Sequence, residues 1–574
     1  MDKSLSRGTA FCAALLAFAA PAVGRVQGTR HDLSAPGARA AGAEGTDTCS
    51  FCHTNHASEG VRAAWDMGRS PVVYKLYESS TLLSSLRQPT GASRLCLSCH
   101  DGTTAPAAMA GRSTSMNRLR RAPSLGTDLS DDHPISLVYD QSLAARHGQL
   151  ADPSALPSAL RLDASRQLQC TTCHDAHEER YGHFLAMDNR GSALCTACHH
   201  PRGWEGSSHA TFSAAGPLAA AVRSVNAPGR EGGCASCHQP HNAPRAVALL
   251  RAPQERDVCL SCHGSSASAK SVEQDLAKPS AHAIPRVGSP HKSREDPLSM
   301  PQHVTCADCH NSHQAGSARA SAPAVGGALK GVSGVDLSGQ TVAEAANEYE
   351  VCLKCHGVRD AQSPGAVRQD DVRNLRLKIA PGNASYHPIA SQVRRASSRS
   401  LKPGLSAAAV LYCSDCHGSD ERGSAGARAR GPHGSRHAPI LELPYTVEDD
   451  TAEAPLSYAL CYKCHDRESL LRDQARSFPH TKHVVDAKAP CAICHDAHGS
   501  RTNPGLINFV LRDRAGKEIV SPSRGQGRIE YQPRLGQCAL LCHGKNHEVC
   551  GPRPGVEIMP FSNAECGDGD RGRP

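Results

Sequence analysis

CTTCHDAH, residues 170–177, places two cysteines three positions apart, a histidine directly after the second, and another histidine three residues later. In a helical turn, positions i and i+3 share a face. Cys170 and Cys173 therefore point the same way, with His174 beside them. The same unit, Cys-x-x-Cys-His, occurs eleven times in the 574 residues.

The copies comprise Cys49, Cys52 and His53; Cys96, Cys99 and His100; Cys170, Cys173 and His174; and Cys195, Cys198 and His199. They continue with Cys234, Cys237 and His238; Cys259, Cys262 and His263; Cys306, Cys309 and His310; and Cys352, Cys355 and His356. The last are Cys413, Cys416 and His417; Cys461, Cys464 and His465; and Cys491, Cys494 and His495. A twelfth site, CALLCH, has three residues between Cys538 and Cys542, followed by His543. Together these sites use 24 of the 27 cysteines and leave Cys12, Cys550 and Cys566.

Two thiols on one tight turn can add to the two vinyl groups of one porphyrin, and the adjacent histidine then meets the iron from one face. This is the attachment pattern of covalent c-type haem. Zinc and disulfides are the competing readings. Zinc needs a second ligand pair, whereas each unit here carries its own histidine. A disulfide framework gives no reason for 32 histidines. In CALLCH the longer spacer lengthens the turn but keeps both thiols, so a haem is expected there too.

The units fall into six doublets, at His53/His100, His174/His199, His238/His263, His310/His356, His417/His465 and His495/His543. In five of them the first member has a further histidine three residues on: His56, His177, His241, His313 and His498. The fifth doublet reads CHGSD instead and offers His433. Six more histidines precede the doublets: His31, His133, His209, His291, His387 and His480. These make twelve distal candidates for twelve irons. His483 and His303 are close competitors of His480 and His291, and His282 and His547 fall in the surplus. A histidine just past a motif serves a neighbouring iron, because its own iron already takes the motif histidine. Seven methionines are too few to be the general second ligand. Bis-histidine ligation and low potentials follow.

Paired motifs, the following histidine and the CHG-type endings resemble the doubled-CXXCH multihaem cytochromes c, over about residues 49–547. The resemblance implies an electron carrier working with redox partner proteins, such as other cytochromes or an outer-membrane porin–cytochrome conduit. It implies periplasmic work in anaerobic or extracellular respiration. The alternative from a different class is a multihaem reductase of a small nitrogen or sulfur oxyanion. That chemistry needs an open iron position. The histidine supply closes every iron, and no Cys-x-x-Cys-Lys variant occurs.

Aromatics are only 4% of the chain, so large side chains cannot fill an ordinary core. The expected architecture is mostly irregular, with short α-helices at the motifs, little β structure and the haems themselves as the core. LINFVLRD (506–513) is the best strand candidate. Residues 1–24 have the charged start, the apolar run Phe11–Ala20 and the small residues of a cleaved signal peptide. The run is too short to span a bilayer. Later residues divide into doublets at 25–130, 131–205, 206–280, 281–380, 381–475 and 476–574, the last including a tail in which Cys550 and Cys566 are expected to pair. The formal charge of +8 would suggest nucleic acid, but ionised haem propionates outweigh it, and no nucleic-acid partner is expected.

Overall fold

The computed structural model describes residues 26–32, 52–53, 72–103, 124–210, 233–264, 271–285, 303–357, 365–393, 400–406, 408–421, 429–472, 478–524, 527–533 and 537–548. The expected signal peptide, Cys12, Cys49, His56, His291, Cys550 and Cys566 lie outside these residues.

The chain is mostly irregular, with short helical turns, as its composition implies. Three longer helices, α1 (Gly91–His100), α2 (Glu255–His263) and α3 (Glu348–His356), each end in the second motif of a doublet. First motifs instead begin their turn, as in Cys170–Cys173, Cys306–Cys309 and Cys491–Cys494. Two of these are held by reciprocal caps, Gln169 with Thr172 and Thr305 with Asp308. Such caps satisfy amides that have no partner within the helix. The turn closes when the histidine amide donates to the carbonyl of the first cysteine, at 3.0 Å in His174 and 2.9 Å in His310 and His495. That bond sets both thiols and the imidazole around one point.

The apolar interior is divided into small clusters. Five of them contain only three to five buried residues. The sixth, with Ile493, Phe509, Val510, Ile519, Val520 and Leu540, lies at the C-terminal end. There β1 (Val520–Ser521), β2 (Glu530–Gln532), β3 (Gln537–Cys542) and β4 (Lys545–His547) form a four-stranded antiparallel sheet around β3. The expected strand within 506–513 is present as Val510–Arg512, paired with Val367–Arg368. Other ladders are two residues per strand, and several join distant parts of the chain, as 280–281 with 434–435 and 385–386 with 499–500. Among the described residues, no helix is long and apolar enough to cross a membrane.

Candidate haem sites

The motif histidines face other histidines at a nearly constant distance. Ring centres lie 6.2 Å apart for His53 and His177, and 6.1 Å apart for His174 and His241 and for His238 and His313. His310 faces His433 at 6.1 Å, and His417 faces His498 at 6.2 Å. The second motifs follow suit. His100 faces His31 at 6.3 Å, His199 faces His133 at 6.1 Å, and His263 faces His209 at 6.3 Å. His356 faces His282 at 6.4 Å and His465 faces His387 at 6.5 Å.

That spacing has a chemical meaning. A metal–imidazole bond of about 2.0–2.1 Å, plus roughly 1.2 Å from nitrogen to ring centre, sets two axial rings roughly 6.4 Å apart. Direct stacking would bring rings closer, as His31 does with Phe184 at 4.1 Å. Among the described residues, no group of three or more His, Cys, Asp or Glu converges to hold a metal ion, so the convergence a zinc site needs is not met there. Facing pairs beside two thiols fit an iron porphyrin.

The pairs follow one rule. Each second motif takes its partner from the chain just before its doublet. Each first motif takes its partner from the next doublet, as His53 does with His177 and His417 with His498. In the sixth doublet, burial foremost and then His480, ahead of the other nearby imidazoles, push the pKa of His495 down.

Nine of the twelve distal candidates thus stand opposite a motif histidine: His31, His133, His177, His209, His241, His313, His387, His433 and His498. His480 is near enough to His495 to interact with it electrostatically. His282 occupies the place opposite His356 for which the sequence suggested His291. At the twelfth site, His547 rather than His543 faces His483, at 6.2 Å.

Two short ladders explain how the partners are placed. Tyr386 pairs with Gly499, which sets His387 beside His498. Ala281 pairs with Gly434, which sets His282 beside His433. A Cβ on Gly434 would collide with the Asp275 carbonyl, and one on Gly499 with the Lys378 carbonyl. Close backbone approach therefore demands glycine at both positions. The shared triplet His-Gly-Ser, at 433–435 and 498–500, was the available sequence signal for this device. Both serines are buried and donate to a nearby carbonyl, Ser435 to Leu441 at 2.6 Å and Ser500 to Ile507 at 2.7 Å.

Many of the imidazoles are oriented through Nδ1, which leaves Nε2 for a metal. In the first motifs Nδ1 donates to a carbonyl on the returning loop: His174 to His183 at 2.9 Å, His238 to Ala248 at 2.7 Å, and His495 to Gly505 at 2.7 Å. His31, His209 and His282 donate to Ala176, Ser312 and Pro432, the residues just before His177, His313 and His433. Burial first, and then the facing imidazole, push the pKa values of His199, His313, His417 and His433 down to about 4. These rings are neutral at pH 7 and keep a lone pair for iron.

The cysteines form a continuous file. Within each doublet the second cysteines are close enough to interact electrostatically: Cys52 with Cys99, Cys173 with Cys198, Cys237 with Cys262, Cys309 with Cys355, and Cys416 with Cys464. Between doublets the first cysteines hydrogen-bond: Cys96 with Cys170, Cys195 with Cys234, Cys259 with Cys306, Cys352 with Cys413, and Cys461 with Cys491. Cys494 continues the file to Cys538 and Cys542. These thiols stand where thioether sulfurs would be, so consecutive porphyrin edges would be neighbours.

Residues 164–203 and 226–268 match the doubled CXXCH motif family. Those two stretches carry the paired motif of the doubled-CXXCH multihaem cytochromes c. A 160-residue stretch is also 29% identical to the "Multiheme cytochrome MtrA" of Shewanella baltica (strain OS185), covering 25% of this chain. The chain spans 36% of that relative's length in the match. Covalently attached haem c and electron transfer are the cofactor and role of this cytochrome family.

Departures from the repeat have local causes. In the fifth doublet, Asp420 occupies the position three residues after His417, where other first motifs place a histidine. Its carboxylate is buried and accepts from Lys278 Nζ at 2.7 Å and from Arg436 Nε at 2.5 Å. An ion pair holds that junction, and His433 supplies the imidazole.

Proposed function

We propose that this chain is an exported dodecahaem cytochrome that carries electrons along a single file of bis-histidine haems, from His53 at one end to the CALLCH site at the other. The observation that carries the reading is the set of facing imidazoles at 6.1–6.5 Å beside ten of the motif histidines. Haem iron, when bound, supplies reversible one-electron chemistry at low potential, because no methionine ligand raises it.

The protein's own part is to hold both axial positions closed, keep the imidazoles facing one another, and fix successive porphyrin edges beside one another. A closed iron has no position for a substrate, which favours conduction over reduction of a nitrogen or sulfur oxyanion. Residues 1–24 support export to the periplasm. The partners are redox proteins at either end of the file, including other cytochromes or an outer-membrane conduit.

The test is the mass of the mature protein, together with an optical spectrum of the reduced protein under carbon monoxide. Twelve haems and no response to the gas are expected. A strong carbon monoxide shift in the unmodified protein, with turnover of nitrite or hydroxylamine, would overturn the conducting role.

A further inference from the structure

The last site breaks the Cys-x-x-Cys-His rule in both spacing and backbone. Cys538 and Cys542 lie on strand β3, not on a helical turn. Side chains alternate faces along a strand, so a Cys-x-x-Cys spacing there would point the two thiols in opposite directions. Three intervening residues return them to one face. His543 and Gly544 form the two-residue turn after β3, with φ of 51° and 73°. Positive φ at both positions is the pattern of the tight turn that joins antiparallel strands.

β4 then runs back along β3, with Lys545 opposite Cys542 and His547 opposite Leu540. Directly opposed residues project on the same face of a sheet. His547 therefore lies level with the midpoint between the two cysteines, on the face that carries both. Its ring faces His483 at 6.2 Å, the distance found at the other sites. His483 is oriented by its Nδ1 bond to the Pro479 carbonyl at 2.9 Å. The ring of His543 lies beside Asp449 instead. Its Nε2, the nitrogen an iron would need, lies 3.2 Å from Asp449 Oδ1.

We infer that the twelfth haem is held by a Cys-x-x-x-Cys-x-x-x-x-His unit, with His547 and His483 as the two axial ligands and His543 as a turn residue beside Asp449. The inference rests on the reading of CALLCH as a haem site. It adds a ligand that the motif, read in its usual register, would misassign.

The experiment compares the holoprotein with its His547→Ala, His543→Ala and Asp449→Asn variants by intact mass, low-temperature EPR and carbon monoxide binding. Twelve haems are expected throughout. One haem in twelve should turn high-spin and bind the gas in His547→Ala, while Asp449→Asn and His543→Ala stay fully low-spin. If His543→Ala blocks attachment, its mass shows the loss and the His547→Ala spectrum decides alone. A fully low-spin His547→Ala protein, or a high-spin haem in His543→Ala, overturns the ligand assignment while leaving the twelve-haem count intact. Eleven haems in the unmodified protein would overturn the haem site itself.

Discussion

The five junctions between doublets and the C-terminal end place their thiols and imidazoles by different means. At a junction, a helical turn carries the thiols, short ladders bring in distant histidines, and few apolar residues are buried. At the end, a four-stranded sheet carries the thiols, and Phe509, Val520 and Leu540 build a conventional core beneath it. The junctions can rely on neighbours because each doublet donates an imidazole to the one before it. In the sixth doublet the neighbouring imidazoles, His480 and His483, come from its own sequence.

Removal of the haems breaks this comparison most severely. A chain expressed without haem attachment should lose ordered structure at the junctions, where clusters of three to five side chains cannot offset chain entropy. The sheet around β3 should retain the most protection. Hydrogen exchange followed by mass would show this, and equal protection of both regions would refute the distinction. Attachment should also reshape the sheet. Four extended residues span about 13 Å, so seating both sulfurs of Cys538 and Cys542 on one porphyrin edge requires β3 to contract.

The next largest effect is expected at the Asp420 junction. Lys278, 9% exposed in its side chain, pairs with Asp275 at 2.5 Å and Asp420 at 2.7 Å. The two carboxylates are 2% and 1% exposed. Lys278→Met would leave Asp275 without its cation and Asp420 paired with Arg436 alone, at a cost of about 3–5 kcal/mol. Thermal unfolding of the holoprotein should show a clear drop. An unchanged transition would mean that this ion pair carries no stability.

A smaller, more local loss is expected from Gly499→Ala, where the new methyl meets the Lys378 and Ser385 carbonyls. Overpacking of this kind costs about 1–3 kcal/mol. His417 and His498 lie nearly parallel, 3° apart, so forcing the ladder open should rotate one axial plane. The EPR signal of a single haem should shift, with the others unaffected.

Much of the scheme was legible in the sequence because haem attachment needs a fixed local pattern. The Cys-x-x-Cys-His units, the doublets and most of the facing histidines are short-range features, and CTTCHDAH contains both the donor of one site and the partner of another. What was not legible depends on contacts across long sequence separations. His282 stands opposite His356 because Ala281 pairs with Gly434, more than 150 positions away. His547 replaces His543 opposite His483 because the thiols sit on a strand, and the local motif gives no sign of that change in backbone. Asp420 looked like a missing histidine and is an ion-pair partner from another doublet.

The smallest effect concerns the same aspartate in acid. Burial alone would push the Asp420 carboxyl up, but hydrogen bonds from Lys278 and Arg436 outweigh it and hold the group below the ordinary carboxylate range. The unfolded chain, with an aspartate near pKa 3.9, binds the proton more readily than the folded one. The stabilisation is therefore complete above about pH 4 and fades as pH falls through the depressed folded value. Other acids titrate in the same window, so the informative quantity is a difference. Unfolding of the holoprotein and of Asp420→Asn should be compared at several values below and above pH 4. The gap between the two should narrow steadily as the solution becomes more acidic. A gap independent of pH would show that Asp420 acts at this junction through shape and hydrogen bonding alone, and that the charge of Lys278 is balanced by Asp275.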